Sequence, residues 1–310
     1  MKAVIYERYG PPEVLRLVEV EKPAPKDDEV LVRVRATTVT IGDVRMRSFT
    51  VPREQWLFAR LYLGVRKPKR KILGMELAGD VEAVGKHVTR FKAGDPIFAS
   101  TMEVGFGGYA EYKCFPEDKV MALKPASLNY KEAAAAIGGG ITAARCLKRG
   151  NIRPGQKVLI YGASGAVGTN AVQLAARHYS AEVTGVCSGR NLDLVRSLGA
   201  ARVIDYTRED FTETGETYDV VFDAVAKFSP AAAKRALKPG GVYLNVHKHS
   251  DGERGGGMML DELLFLKGLL ETGVVKPVID RCYPLEQIVE AHRYVETGRK
   301  RGNVAVAVAA

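Results

Sequence analysis

Between the apolar run Val158-Leu159-Ile160-Tyr161 and a helical pattern that reaches Tyr179 lie Gly162, Ala163, Ser164, Gly165, Ala166, Val167 and Gly168. Small residues at this spacing let a backbone approach a ligand closely. The N–H groups at the positive end of the following helix then suit a phosphate or pyrophosphate. Ala163, Gly165 and Gly168 take the three positions of the G-x-G-x-x-G spacing, so alanine replaces the first glycine, with Gly162 just before it. Such a turn is weak support by itself, and a strand–helix turn that binds nothing is the competing reading. Its context favours a ligand. A strand over Glu182–Cys187 follows the helix, and strand-like runs recur at 202–204, 219–223 and 241–246 with helical stretches between them. That alternation describes a doubly wound α/β unit with a parallel sheet, and the ligand expected at its first turn is a dinucleotide.

The second strand of the unit bears on which dinucleotide. It ends Val186-Cys187-Ser188-Gly189-Arg190-Asn191, without a carboxylate to hold a ribose 2′-hydroxyl. Ser188, Arg190 and Tyr206, the last at the end of the next strand, together suit a 2′-phosphate, for which a guanidinium fork is well shaped. NADPH is therefore expected over NADH. Arg190 has an alternative reading as a solvated residue opening a helix at 191–198.

These residues need a scaffold. At 310 residues the chain exceeds one typical domain, and 46% hydrophobic residues supply two cores. Before about residue 125, short strand patterns at 2–6, 29–38, 79–84, 95–98 and 109–114 alternate with Pro11-Pro12 and Pro23-Ala24-Pro25, as in an all-β unit with few helices. A helical region starts at 129–136 and leads into the nucleotide unit. From about residue 276 the pattern returns to P-V-I-D-R, a helix over 285–296 and a strand over 303–308. The expected domains are 1–125 with 276–310, and 126–275.

Composition narrows the class. No apolar run approaches the ~20 residues that span a bilayer, and the opening M-K-A-V-I-Y is a strand pattern where a signal peptide would carry its apolar core. A cytosolic protein with no membrane partner is expected. Cys114, Cys146, Cys187 and Cys282 form no C-x-x-C pair, against both a structural zinc site and a disulfide framework. The net charge of +10 attracts anionic ligands. Its densest piece, Arg66-Lys67-Pro68-Lys69-Arg70-Lys71, holds a proline and reads as a solvated loop ahead of a nucleic-acid patch.

Several longer stretches carry a family resemblance. They are M-K-A-V-I-Y-E-R-Y-G-P-P-E-V-L at the start, I-L-G-M-E-L-A-G-D-V-E-A-V-G at 72–85, F-K-A-G-D at 91–95, G-G-Y-A-E-Y at 107–112, the glycine turn, and L-K-P-G-G at 237–241. Over nearly its whole length the chain resembles the medium-chain dehydrogenase/reductase superfamily, in particular the zinc-independent quinone oxidoreductase branch. The resemblance implies a Rossmann doubly wound parallel sheet inserted in a GroES-like β-barrel domain that the tail completes, with the active site in the cleft between them.

Zinc-dependent alcohol dehydrogenases of that superfamily bind their catalytic metal through a cysteine, a histidine and a second cysteine. Here Thr40 stands at the first position, Met75 replaces the histidine, and the region of Gly138-Gly139-Gly140 offers no thiolate. Tetrahedral Zn²⁺ needs such ligands, so no metal is expected. Without a Lewis acid to polarise a simple carbonyl, an acceptor that spreads its own developing charge is favoured. The resemblance points the same way, to hydride transfer from NADPH to a quinone or an α,β-unsaturated ketone or aldehyde.

It further implies that Thr40 and Asp43 line the nicotinamide cleft, that Thr142 meets the cofactor near its nicotinamide end, and that Asn245 borders the cleft wall. Asp43 has a second reading, holding its loop through backbone hydrogen bonds. Tyr109 reads as a proton donor or as a core residue. Histidines 87, 178, 247, 249 and 292 show no ligand spacing, which leaves solvent or the cofactor ribose as proton source. Phe49, Trp56, Phe58 and Tyr62, within 46–63, suit a flat apolar ligand or a core equally.

One stretch departs from the family. After the strand at 241–246 the family continues to a sixth strand that pairs across a dimer axis, whereas here a polar, glycine-rich bridge at 247–257 leads straight to the helix Leu260–Glu271. The shortening argues against the usual homodimer and leaves a sheet edge open. Other readings stay in view: an enoyl-thioester reductase, a non-catalytic NADPH-binding scaffold of the crystallin type, and an RNA-binding relative. A membrane-associated module would need an apolar surface that the sequence does not display.

Overall fold

In Glu29–Thr38, E-V-L-V-R-V-R-A-T-T, β-branched residues alternate with arginines, and the stretch forms one long strand with its apolar side chains buried. The computed structural model describes residues 1–50, 56–250 and 258–308. The chain falls into two units, Met1–Ile137 with Ile279–Ala310, and Gly138–Val278.

The first unit opens with an antiparallel ribbon of β1 (Lys2–Ile5) and β2 (Arg16–Glu19). Then come β3 (Glu29–Thr38), the helices α1 (Ile41–Ser48) and α2 (Trp56–Leu63), and strands β4 (Glu76–Val84), β5 (Pro96–Ser100), β6 (Tyr112–Pro116) and β7 (Met121–Leu123). The strand expected over 109–114 begins only at Tyr112. Gly107, at φ +113°, turns the chain so that residues 109 and 110 run beside β1, where Val4 N donates to Tyr109 O at 2.8 Å.

Helix α3 (Tyr130–Lys148) passes through Gly138-Gly139-Gly140 without a break. Glycine inside a helix costs about 1 kcal/mol relative to alanine. Close approaches account for two of the three: a Cβ on Gly139 would lie 2.6 Å from Ala166 O, and one on Gly140 2.7 Å from Leu266 Cδ1.

The second unit continues with β8 (Lys157–Tyr161), α4 (Ala166–Gln173, extended by a wider turn over Leu174–His178), β9 (Glu182–Cys187), α5 (Leu192–Ser197), β10 (Arg202–Asp205) and β11 (Tyr218–Asp223). It ends with α6 (Pro230–Lys234), β12 (Leu237–Asn245), α7 (Val246–His249) and α8 (Leu260–Glu271). Its five strands are parallel in the order β10-β9-β8-β11-β12. Strands covered on both faces are continuous apolar runs, and Val158, Leu159 and Ile160 are fully buried. Among the described residues no strand pairs beyond β12. Of the bridge at 247–257, its first residues lie in α7, and 251–257 lie outside the described residues.

The tail returns to the first unit as β13 (Ile279–Pro284), α9 (Ile288–Glu296) and β14 (Asn303–Ala307). The sheet order there is β13-β14-β3-β4-β5-β7, with β6 also on β3, and β14 runs antiparallel to β3 with Val306 opposite Thr37. Val32, Val34, Leu77, Ile97, Phe115 and Val304 form part of one core, each such side chain contributing about 1.5–3 kcal/mol on burial. No helix among the described residues is long and apolar enough to cross a membrane.

Candidate functional site

The glycine turn joins β8 to α4 in the second unit. Gly162 N and Ala163 N both donate to Val186 O at 3.0 Å, which fixes the turn to the neighbouring strand β9. Gly162 takes φ +77°, a conformation that costs glycine little. Gly168 is held tighter still: a Cβ there would lie 2.1 Å from Gly162 O and 2.8 Å from Ala163 backbone atoms. Gly165 is the N-cap of α4 and no side chain caps that helix, so its first-turn N–H groups are left to a ligand or solvent. Ser164, Ala166 and Val167 complete the turn. A turn packed this tightly and open at a helix N-terminus fits the pyrophosphate of a dinucleotide.

The ends of β9 and β10 form the adjoining corner. Parallel pairing sets Asp205 opposite Cys187, and Tyr206 N donates to Cys187 O at 3.2 Å, so Ser188 and the half-exposed Tyr206 lie side by side. Arg190 is exposed. Asn191, which sequence reading did not single out, connects the corner to the turn: its Nδ2 donates to Ser164 Oγ at 3.0 Å and to Ser188 Oγ at 3.2 Å. Asp205, whose side chain lies close to Gly189, is turned to backbone and hydroxyl donors. Its Oδ1 accepts from Thr207 Oγ1 at 2.7 Å and Thr207 N at 3.0 Å, and these bonds, with one from Gly189 N, hold it below the usual carboxylate range.

Thr142 sits half-buried on α3, one turn beyond the Gly139 that lies against Ala166 O. Asn245 caps α7. Its Oδ1 accepts from His247 N at 2.9 Å, and its Nδ2 donates to the Tyr243 hydroxyl at 3.1 Å.

In the first unit Thr40 and Asp43 form a capping box at the start of α1. Thr40 Oγ1 donates to Asp43 Oδ2 at 2.7 Å and accepts from Asp43 N at 3.1 Å, and Thr40 N donates to Asp43 Oδ2 at 3.0 Å. Asp43 Oδ1 accepts from Gly74 N at 2.9 Å, across from α1 on the approach to β4. Asp43 is fully buried, and desolvation pushes its pKa up to about 6 against the pull of these hydrogen bonds and of the Tyr109 hydroxyl. Thr40 stays half-exposed. The carboxylate therefore faces the fold and positions the threonine. Tyr109 is also fully buried, its hydroxyl 3.2 Å from His292 Nε2.

Comparison with known proteins places this geometry. The profile described as "Alcohol dehydrogenase GroES-like domain" matches residues 26–125, and that described as "Zinc-binding dehydrogenase" matches residues 198–306. The chain is 34% identical to a 2-methylene-furan-3-one reductase of Solanum lycopersicum over 99% of this chain and 79% of that one. It is 33% identical, with the same coverage, to a chloroplastic NADPH-dependent alkenal/one oxidoreductase of Arabidopsis thaliana. Against the quinone oxidoreductase of Homo sapiens it is 30% identical over 96% of this chain and 94% of the other. Its fold superposes on a quinone oxidoreductase structure from Coxiella burnetii with TM-score 0.85, at 27% identity over 100% and 99% of the two chains.

The zinc in one of those descriptions does not fit the donors here. Thr40 Oγ1 is bonded to Asp43 and lies 3.5 Å from Met75 Sδ, which leaves a hydroxyl and a thioether where thiolate and imidazole are needed. Among the described residues no three histidine, cysteine, aspartate or glutamate side chains gather as a metal site. With its GroES-like and dehydrogenase segments and relatives spanning nearly its whole length, the chain belongs to the medium-chain dehydrogenase/reductase superfamily, in its quinone oxidoreductase branch.

Proposed function

We propose that this protein is a metal-free reductase that uses NADPH to reduce a quinone or the conjugated double bond of an α,β-unsaturated ketone or aldehyde. The observation that carries the reading is the Gly162–Gly168 cradle tied through Asn191 to a neutral-to-basic corner at Ser188, Arg190 and Tyr206. When bound, the dinucleotide supplies the hydride.

The chain's own residues bind and orient. N–H groups of the turn and the first turn of α4 hold the pyrophosphate, while Ser188, Arg190 and Tyr206, tied to the turn through Asn191, hold the 2′-phosphate. Thr142 and Asn245 are assigned to the nicotinamide end, and Thr40, fixed by Asp43, presents a polar group to the acceptor. Tyr109 is not the acid. It has no exposed surface, its hydroxyl is bonded to His292, and burial raises its pKa well above the ordinary tyrosine value. Protonation of the reduced acceptor is left to solvent or the cofactor ribose.

Among acceptors, the names of the furanone and alkenal/one reductases favour conjugated enones and enals. Stopped-flow oxidation of protein-bound NADPH, with a chelator present, against quinones, alkenals and acyl thioesters tests the reading. Rapid decay with enals or quinones is expected. Decay with acyl thioesters alone would make the protein an enoyl-thioester reductase, and tight binding without decay would make it a scaffold.

A further inference from the structure

Helix α2 exposes what a surface helix normally hides. Trp56 is 49% exposed, Leu57 67% and Leu61 59%, and Val65, just past the helix, 61%. Leu57 and Leu61 stand four residues apart on one face. Arg60, one turn on from Trp56, anchors the helix, and the half-exposed Trp56 ring rests edge-on against Phe49, with ring centres 6.2 Å apart, and 5.2 Å from the Arg60 guanidinium. The Arg60 guanidinium lies 3.8 Å from the Phe49 ring centre and 5.1 Å from that of Tyr9, its Nη1 donates to Val65 O at 3.0 Å, and Tyr9 donates to Gly64 O at 3.0 Å. The Phe58 and Tyr62 side chains lie outside the described residues.

The basic run at 66–71 is continuous with this apolar face. Lys69 Nζ donates to Leu61 O at 2.6 Å, and Lys69 N to Leu63 O at 2.8 Å, which folds the run back against the helix. Arg66, Lys67, Lys69, Arg70 and Lys71 are all exposed, and among the described residues neither Arg66 nor Lys67 has an ion-pair partner.

We propose that α2 and the turn at 64–71 form a membrane-surface docking element, in which Trp56, Leu57, Leu61 and Val65 enter the headgroup region of an anionic bilayer while the basic run engages lipid phosphates. Contiguous apolar exposure rimmed by cations is the composition of helices that lie in a membrane interface. A nucleic acid would use the cations but gives exposed leucines nothing to bury against. A second copy of the chain would cover the leucines but bring two basic runs together, a like-charge juxtaposition that disfavours the pairing. An anionic lipid surface satisfies both features at once. The absence of a spanning segment, from which the sequence expectation of no membrane partner followed, does not bear on a helix that lies in the interface. This inference stands apart from the reductase reading and survives its failure.

Trp56 is the only tryptophan in the chain, so tryptophan emission reports on α2 alone. The full-length protein is mixed with vesicles rich in phosphatidylserine or made only of phosphatidylcholine. A blue shift, quenching by lipids brominated on their acyl chains, and co-sedimentation are expected with the first and not the second. Leu57→Ser with Leu61→Ser, and separately Arg66→Glu with Lys67→Glu, should each lower vesicle partitioning by roughly tenfold or more. The second pair changes only exposed turn residues and guards against a folding defect in the first. Emission that does not move on anionic vesicles overturns the proposal, as does salt-sensitive sedimentation without a blue shift. A shift produced by quinone and not by vesicles assigns α2 to the acceptor pocket instead. A shift that follows protein concentration without lipid assigns it to self-association, and either result also overturns docking.

Discussion

Tyr109 and His292, 183 residues apart in the chain, meet in the core of the first unit with hydroxyl and Nε2 3.2 Å apart. His292 Nδ1 is buried without a hydrogen-bond partner among the described residues. Burial, with the nearby Arg47 cation, lowers the His292 pKa to about 3. The folded state therefore keeps this ring neutral while an unfolded chain protonates it below pH ~6.5. The histidine's contribution is complete above that value and is lost as pH falls, by up to about 1.4 kcal/mol per pH unit. Asp43 acts with the opposite sign, because its raised pKa makes the folded state bind the proton first. His292→Gln retains a polar partner for Tyr109 and removes the titration. Denaturant unfolding should find it less stable than the parent at pH 7, with the gap closing or reversing by about pH 4.5. The Asp43 contribution is common to both proteins and cancels in that difference, so a gap that stays constant with pH would refute the neutral buried histidine.

Gly168→Ala should weaken NADPH and NADH binding alike by roughly tenfold or more, because the added methyl meets Gly162 O at 2.1 Å and must open the turn proposed to hold the pyrophosphate. Gly268→Ala supplies the control. It lies in α8 with nothing within 4 Å of the new Cβ, so it should leave cofactor binding alone and stabilise by about 0.5–1 kcal/mol. Calorimetric titration of both variants with both cofactors separates a cradle effect from a general loss of fold.

Strands and helices with one uninterrupted apolar pattern were legible in the sequence to the residue: Glu29–Thr38, Glu182–Cys187 and Leu260–Glu271 all form where the pattern placed them. Helix α1 was not, for a physical reason. Its buried side includes Asp43 and Arg47, the latter paired with Glu296 of α9, so its inward face reads as polar until the partners are known. The capping box T-x-x-D was the one signal that could have found it.

The glycine turn was readable because its chemistry is local. Asn191 was not, since its partners lie 27 and 3 residues away and its type alone suggests a helix cap. The network of Tyr109, His292 and Asp43 depends on three elements meeting, which no spacing rule encodes. Likewise, the aromatic and aliphatic residues of 56–61 carry no mark in the sequence that distinguishes a core from an exposed face.

Arg190 and Asn191 are adjacent but should fail differently. Arg190→Ala removes a cation assigned to the 2′-phosphate and should weaken NADPH binding by about 10- to 100-fold with little change for NADH. Asn191→Ala removes both bonds from Nδ2, to Ser164 in the turn and Ser188 at the strand end, and should weaken both cofactors together. Equal losses of NADPH and NADH in the arginine variant would remove Arg190 from the phosphate corner.

Asp43→Asn tests whether that carboxylate positions Thr40 or reacts. Three donors converge on it, from Thr40 N, Thr40 Oγ1 and Gly74 N. An amide offers one oxygen in place of two and turns an N–H₂ group toward the remaining donors. A loss of about 1–3 kcal/mol in unfolding free energy is expected. The raised pKa gives a second signature. The parent gains stability as pH falls from about 6 toward 4, because the folded carboxyl takes up its proton before the unfolded one, and the variant lacks that gain. If Asp43 only positions, NADPH oxidation by an enal should slow in proportion to the disorder of Thr40, and Thr40→Ala should reproduce the slowing while keeping the parent's gain in stability as pH falls below about 6. If instead Asp43→Asn abolishes turnover while Thr40→Ala and the unfolding curves stay near the parent, the carboxylate takes part in the chemistry and its buried geometry must open during the reaction.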